Sequence, residues 1–361
     1  MPGRNSQITI FSPSFADESN TNAQNLTVKE IVARLPPELF HVVMICAGDP
    51  DPRIAERRNT EFVAWSGHGN SVRLLKRILL TTPDIYFFPR CGPLDRAFFD
   101  LRKYLRIRTA LVSYIVMMMN ATTTNRMLQR SIVEADRLCA NSEYVAQTVA
   151  ERFGAEAEVV YDGVDRRFFF PPENRFAGDS SRAPVVLYAG SLQPRKRVEV
   201  VIEQAARWPN IQFRLAGRGE TEGLCRDLCQ KYGCRNVSFL GHLSSAQLSE
   251  EMRSADIFFF PSVLEGHPQV LVQAAACGLP SVALNFYRPA YVVSGNTGFL
   301  AESDHELVEQ LDLLITNRAL RHSMSQAAAK HSYKFDWDRI TEQWVGIFLD
   351  VMEKRQKIVA A

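Results

Sequence analysis

Apolar positions along the chain fall into short runs separated by stretches of helical period. In the first half the runs lie at 7–11, 42–46, 61–65, 84–88, 110–115, 136–140 and 157–161. Helical patterns at 26–35 and 71–80 separate some of them. The first run ends in Ser12-Pro13-Ser14, and a polar stretch, 16–25, leads into the first helix. Strands that alternate with helices predict a parallel, doubly wound sheet. A second series begins at 185, with runs at 185–189, 212–216, 237–240, 257–260 and 281–284. Between the two series, 171–184 is rich in proline, glycine and polar residues and reads as a linker. The expected organisation is an N-terminal domain over 1–170, the linker, and a second α/β domain over 185–336, the two facing a central cleft. The tail, 337–354, has helical period and either caps the second domain or crosses back to the first.

Composition sets outer bounds. At 361 residues there is room for two cores, and a net charge of +2 gives no global signal for nucleic acid. The seven cysteines are odd in number and scattered, which suits free thiols in a reducing compartment. Cys225, Cys229 and Cys234 are closer together but lack a fourth ligand, so no metal is assigned to them. No basic-plus-apolar leader opens the chain, and the apolar stretch 110–119 is too short to span a bilayer. A cytoplasmic protein is expected. One segment, 96–108, interleaves aromatics with Arg96, Arg102, Lys103, Arg106 and Arg108. It reads either as a peripheral contact with an anionic membrane face or as a helix packed on the sheet with a basic outer face.

The candidate chemistry sits at strand ends in the second half. Ile257-Phe-Phe-Phe-Pro-Ser262 is closely followed by Glu265-Gly266-His267-Pro268-Gln269-Val270 and an alanine-rich helix. Strand, tight turn and helix start are the geometry that open α/β sheets use for phosphate-bearing ligands, and an acid there accepts hydrogen bonds from neutral hydroxyls. Gly190-Ser191 precedes Arg195 and Lys196, cations able to neutralise a diphosphate. Gly217-Arg218-Gly219 and Gly241 end two further strands. Taken singly, each turn reads as an ordinary solvated loop; together they mark one ligand-binding edge.

In this order, with Gly278-Leu-Pro280 and Gly295-Asn-Thr-Gly298, the motifs resemble the donor domain of glycosyltransferase family 4, retaining enzymes of the GT-B fold. The similarity covers 185–348 and extends back through Ala135-Asp136, Ser142-Glu143 and Asp162-Gly-Val-Asp165. It implies that Glu265 binds the donor sugar, that the backbone amides of His267, Gln269 and Val270 lie near sugar and phosphates, and that Lys196 and Arg195 face the diphosphate. Two departures stand out. Gln273 occupies the place of the acid that usually holds the ribose, and Ser191 that of a frequent arginine. The first domain also lacks the family's glycine pair after its first strand, where Ser12-Pro-Ser14 and 17–20 stand, and the histidine usual near 113–120; His68 lies in a glycine-flanked loop elsewhere.

The resemblance therefore implies a metal-independent transferase with no cofactor other than its co-substrate, a UDP- or GDP-sugar. Its acceptor would be a glycan, a lipid-linked molecule or a small molecule held by the first domain, in polysaccharide, glycolipid or glycoconjugate synthesis. The front-face reaction of retaining enzymes is expected, with Glu265 orienting the sugar. Glu265→Ala and Lys196→Ala are each expected to reduce transfer greatly while leaving the fold intact. Two other readings stay open: a sugar-nucleotide epimerase of the same fold, and a catalytically silent donor-binding subunit.

Overall fold

The computed structural model describes residues 7–19, 22–65, 67, 71–89, 92–116, 126–173 and 182–360. The chain forms two compact units, Met1–Asp162 joined by Trp337–Ala361, and Gly163–Asp336. The first therefore ends eight residues before position 170. The reason is that the segment after Asp162 packs on the second unit: the Val164 N–H donates to Phe335 O at 2.8 Å, and the Arg253 guanidinium lies 4.4 Å from the centre of the Phe170 ring. Residues 174–181, within the expected linker, lie outside the described residues, as do His68, Asn20 and 117–120.

The first unit is built from β1 (Ile8–Phe15), α1 (Ala23–Arg34), β2 (Phe40–Cys46), α2 (Pro52–Ala55), β3 (Thr60–Ala64), α3 (Ser71–Thr81), β4 (Ile85–Phe87), α4 (Pro93–Tyr104), β5 (Ala110–Ile115), α5 (Arg126–Val133), β6 (Arg137–Ala140), α6 (Glu143–Phe153) and β7 (Glu158–Val159). Its seven strands are all parallel in the order β3-β2-β1-β4-β5-β6-β7. Successive residues serve opposite faces, as the two-residue period of a strand requires. Ile10, Val42, Met44 and Phe87 pack with Val28, Ile31 and Val32 of α1, whereas Phe11, Val43, Ile45 and Tyr86 pack with Leu74 and Ile78 of α3 and with Phe98 and Phe99 of α4. Burial on both faces explains why these strands read as unbroken apolar runs.

Two local features differ from the sequence expectation. β1 does not stop at Ser12 but runs through Pro13 to Phe15. Its pairing with β4 ends at Phe11, and its register with β2 shifts between Ser12 and Phe15. Pro13 thus falls where the ladder is already broken, which is where a strand tolerates a residue without an N–H. α4 ends at Tyr104, and Arg106 has a left-handed φ of 51°, so Arg106 and Arg108 lie beyond the helix. The aromatics Phe98 and Phe99 are fully buried, with Phe98 stacked on Tyr86 at 4.4 Å. Arg102 and Lys103 pair with Asp136 and Glu134. Of the two readings of 96–108, the helix on the sheet accounts for its aromatics. No helix among the described residues is long and apolar enough to cross a membrane.

The second unit continues with β8 (Val185–Ala189), α7 (Val198–Arg207), β9 (Gln212–Ala216), α8 (Glu222–Tyr232), β10 (Val237–Gly241), α9 (Ser245–Ser254), β11 (Ile257–Phe260), α10 (Gln269–Ala276), β12 (Ser281–Leu284), β13 (Gly298–Ala301), α11 (Asp304–Thr316) and α12 (Arg318–Ser332). Its six strands are parallel in the order β10-β9-β8-β11-β12-β13. β13 is an addition to the strands expected from sequence, where 295–298 had read only as a turn motif. The tail forms α13 (Trp337–Ala360), and its Trp337, Ile340, Trp344, Ile347, Phe348 and Val351 complete the α1 face of the first unit.

Candidate functional site

The strand order places the site. From β8 the chain winds outward through β9 to β10, then returns to the other side of β8 with β11. The loops after β8 and β11 therefore diverge at the carboxyl edge of the sheet. Open parallel sheets bind ligands at such a switch point. Arg195 and Lys196 follow β8, and Glu265 follows β11.

These three side chains meet. Lys196 Nζ lies 2.5 Å from Glu265 Oε1, and Arg195 Nη1 lies 2.8 Å from the same oxygen. Ser262 Oγ lies 2.5 Å from it as well. Arg195 Nη1 also donates to the Leu264 carbonyl at 2.8 Å, and the Val263 N–H donates to the Arg195 carbonyl at 3.0 Å. The two loops are thus stitched through backbone as well as side chains. Pro194–Lys196 form one turn of 3-10 helix, which turns the lysine inward beneath the cluster. There its ammonium sits 4.8 Å from the centre of the Phe260 ring. The Lys196 and Glu265 side chains are each only 9% exposed. Burial pulls the lysine below its ordinary pKa, with Arg195 acting in the same sense and the Glu265 carboxylate opposing. The third cation of the run, Arg197, turns away to a bidentate pair with Asp304 at 2.6 and 2.7 Å.

The glycine turns form a second part of the same edge. The Gly190 N–H donates to Ala216 O at 3.0 Å, Leu192 N–H to Arg218 O at 2.9 Å, and Gly217 N–H to Gly241 O at 2.7 Å. Three turns that looked separate in the sequence are therefore one bonded surface. The close approach demands glycine at 217: a Cβ there would lie 1.9 Å from Gly190 O, and its φ of +136° is foreign to other residues. Ser191 is partly exposed, with its carbonyl accepting from the buried Tyr188 hydroxyl at 3.0 Å. The exposed Arg218 lies over Gly241, where a Cβ would come within 3.5 Å of its Nε.

Gly266, His267 and Pro268 lead into α10, whose cap residue Pro268 offers no side-chain acceptor. The first-turn amides of Gln269 and Val270 thus belong to a helix N-terminus on the ligand edge. Gln273 stands one turn after Gln269 on the same face, and both are partly exposed. His267 is 5% exposed, with its ring centre 3.7 Å from that of Tyr291. Burial drives its pKa down to about 3, so the ring is neutral and brings no charge to a phosphate. The cysteine cluster takes no part: Cys225 and Cys229 lie on α8 with Cys234 just beyond it, and burial pushes the Cys225 and Cys229 thiols up to about 11.

Two participants were not assigned from sequence. Ser262 had counted only as part of a Pro-Ser motif; its place three residues before Glu265, at the exit of β11, was the available signal. Tyr287, in the loop after β12, is 1% exposed, and its hydroxyl has no hydrogen-bond partner among the described residues. Burial and the Glu265 charge both raise its pKa. Nothing in the sequence pattern distinguishes it from a core tyrosine.

With this geometry in place, comparison with known proteins identifies the class. Residues 149–331 match the model of the family described as glycosyl transferases group 1, and the chain belongs to that family. It is 33% identical over 235 residues to the D-inositol 3-phosphate glycosyltransferase of Mycobacterium tuberculosis, a match covering 59% of this chain and 48% of that protein. The chain thus spans about half the length of the curated relatives it matches. The fold is similar to sucrose-phosphate synthase from Thermosynechococcus elongatus, with a TM-score of 0.77 at 17% identity, covering 98% of this chain and 100% of that one. It is also similar to Anabaena HepE in complex with UDP-glucose, with a TM-score of 0.75 at 17% identity over 95% of this chain and 100% of that one. At these identities the structural likeness defines the fold, GT-B with its two Rossmann-like domains.

Proposed function

We propose that the protein transfers a sugar from a nucleoside-diphosphate sugar to an acceptor hydroxyl, with retention of configuration at the anomeric carbon. The observation that carries this reading is the convergence of two cations and one carboxylate at the switch point of the second sheet. A diphosphate needs positive charge as it leaves, and Lys196 and Arg195 supply it without a metal ion. A sugar needs an acceptor for its hydroxyl protons. Glu265 Oε1 is engaged by three donors, whereas Oε2 has no hydrogen-bond partner among the described residues. We assign Oε2 to the sugar.

The donor is a UDP- or GDP-sugar. The solved complex of HepE with UDP-glucose favours the first. Gln273 meets the ribose diol with a neutral amide, which gives a weaker hold than a carboxylate. The acceptor is a glycan, a lipid-linked molecule or a small polyol, assigned to the first domain, and the setting is polysaccharide or glycoconjugate synthesis. In the reaction, the acceptor oxygen forms its bond to the anomeric carbon on the face from which the diphosphate departs. The bond from that carbon to the phosphate oxygen breaks, and the acceptor proton passes to the leaving diphosphate. The products are a glycoside of unchanged configuration and a nucleoside diphosphate.

The test is a thermal-shift screen of UDP-, GDP-, ADP- and dTDP-sugars followed by donor turnover with EDTA present. One donor class is expected to raise the melting temperature, because a ligand of the native state stabilises it. Turnover is expected to survive EDTA and to fall at least a hundredfold in Lys196→Met. Conversion of the donor to a stereoisomeric nucleotide sugar would instead identify an epimerase. Methionine is the better replacement than alanine because it keeps the packing of the lysine stem: breaking the buried pair costs about 3 to 5 kcal/mol in either variant, and alanine adds a cavity to that. The alanine variants would confuse stability with chemistry.

A further inference from the structure

Three donors meet on one oxygen of Glu265, and two of them are the cations assigned to the diphosphate. Lys196 Nζ at 2.5 Å and Arg195 Nη1 at 2.8 Å each spend a donor and much of their charge on this carboxylate oxygen, so a phosphate bonded through their other N–H groups lies beside a negative charge. Ser262 Oγ at 2.5 Å helps to hold it there. The pair is buried, so its mutual attraction is weakly screened. An anion entering this site therefore competes with an anion already built into the protein.

We propose that Glu265 has a second role, as an internal competitor for Lys196 and Arg195 that lowers the affinity of the site for a bare diphosphate. This rests on the reading of the site as a sugar-nucleotide donor site. An intact donor offsets the competition, because its sugar gives Glu265 new partners through hydroxyl groups. After transfer the sugar is gone, and Glu265 regains its claim on the cations. The nucleoside diphosphate then meets a site that favours its release. Retention of product by two unopposed cations would otherwise slow each turnover.

The experiment is calorimetric titration of the full chain with UDP, GDP and inorganic pyrophosphate at fixed ionic strength. Glu265→Gln keeps the side-chain shape and removes the charge. It is expected to bind pyrophosphate and the preferred nucleoside diphosphate on the order of tenfold more tightly than the wild type. Asp304→Asn removes an equal charge from the partner of Arg197 and is expected to change affinity less than about twofold. If Glu265→Gln fails to fold, Glu265→Asp takes its place: its shorter side chain pulls the carboxylate back from Lys196, and a gain of threefold or more is expected. Unchanged or weaker binding in the Glu265 variant overturns the proposal, as does an equal gain in Asp304→Asn. Where the wild type binds and consumes a donor yet the variant binds diphosphate no better, this inference alone fails. Where the wild type binds neither nucleotide nor pyrophosphate, the reading of the donor site fails with it.

Discussion

Asp162 shows how one residue sets a pH response. Its side chain is 3% exposed and accepts from Thr27 Oγ1 and Asn141 Nδ2, both at 3.0 Å. Tyr114 Oη lies 3.3 Å away but is closer, at 2.6 Å, to the Val160 carbonyl. Burial outweighs these bonds and raises the carboxyl from its ordinary 3.8 to about 6. The folded chain therefore holds this proton more tightly than the unfolded chain does. Stability from this group is full below about pH 4, declines as pH rises to about 6, and is absent above. Asp162→Asn removes the penalty, and the Asn141 Oδ1, which has no partner among the described residues, can accept from the new amide once the Asn141 amide turns over. The variant is expected to be more stable than the wild type at pH 8 by on the order of 3 kcal/mol, with the gap closing by pH 4. Melting curves across that range check it; a gap independent of pH, or a less stable variant at pH 8, counts against the assignment. At this scale the sequence was legible where residues lie in a motif. Glu265, Lys196 and Arg195 could be named as neighbours of one ligand. That the first bonds directly to the other two could not, because the contact joins residues 69 and 70 positions apart and depends on the sheet order. Tyr287 was hidden for the same reason.

At the scale of elements, apolar runs bounded by glycine and proline located most strands, because strands buried on both faces leave an unbroken signature. The exceptions have local causes. β13 is four residues long and follows a glycine turn that dominates its sequence signal. β1 continues through a proline because its pairing with β4 has already stopped there. The glycine turns gained the most from the structure, since the turn at 190 bonds to Ala216 and Arg218 and Gly217 bonds to Gly241, so the three are joined rather than merely similar. Gly217→Ala would force a Cβ to within 1.9 Å of Gly190 O. It is expected to lower the melting temperature by several degrees and to abolish donor binding. Gly233→Ala is the control: φ is +67° but no atom lies within 4 Å of the added Cβ. Only the left-handed strain of about 1 to 2 kcal/mol applies there, with donor binding kept. Equal damage from both variants would mean that backbone strain, and not the contact between turns, is what matters at 217.

At the scale of the molecule, two sheets of the same winding could be read from alternation alone, but the assignment of the tail could not. A helical period says that a helix buries a face, not which core receives it. The answer lies in Trp344, which sits among Phe87, Tyr114 and Phe348 of the first unit. α13 contributes six buried apolar side chains, Trp337, Ile340, Trp344, Ile347, Phe348 and Val351. At about 1.5 to 3 kcal/mol each, their loss is on the order of 10 kcal/mol, comparable to the whole stability of a domain. A chain ending at Asp336 is expected to lose the fold of the first unit and keep that of Gly163–Asp336. Proteolysis with mass spectrometry checks this; a protease-resistant first unit in the truncated chain would contradict it.

In the proposed function, the carboxyl edge of the second sheet holds a nucleoside-diphosphate sugar between the cations Lys196 and Arg195 and the carboxylate Glu265. The most direct measurement is release of nucleoside diphosphate from the donor selected by thermal shift, comparing wild type with Lys196→Met at equal folded concentration. Steady release by the wild type and a rate at least a hundredfold lower in the variant is the expected result. Equal release by both proteins, or no binding and no release with any of the four donor classes, would contradict the account.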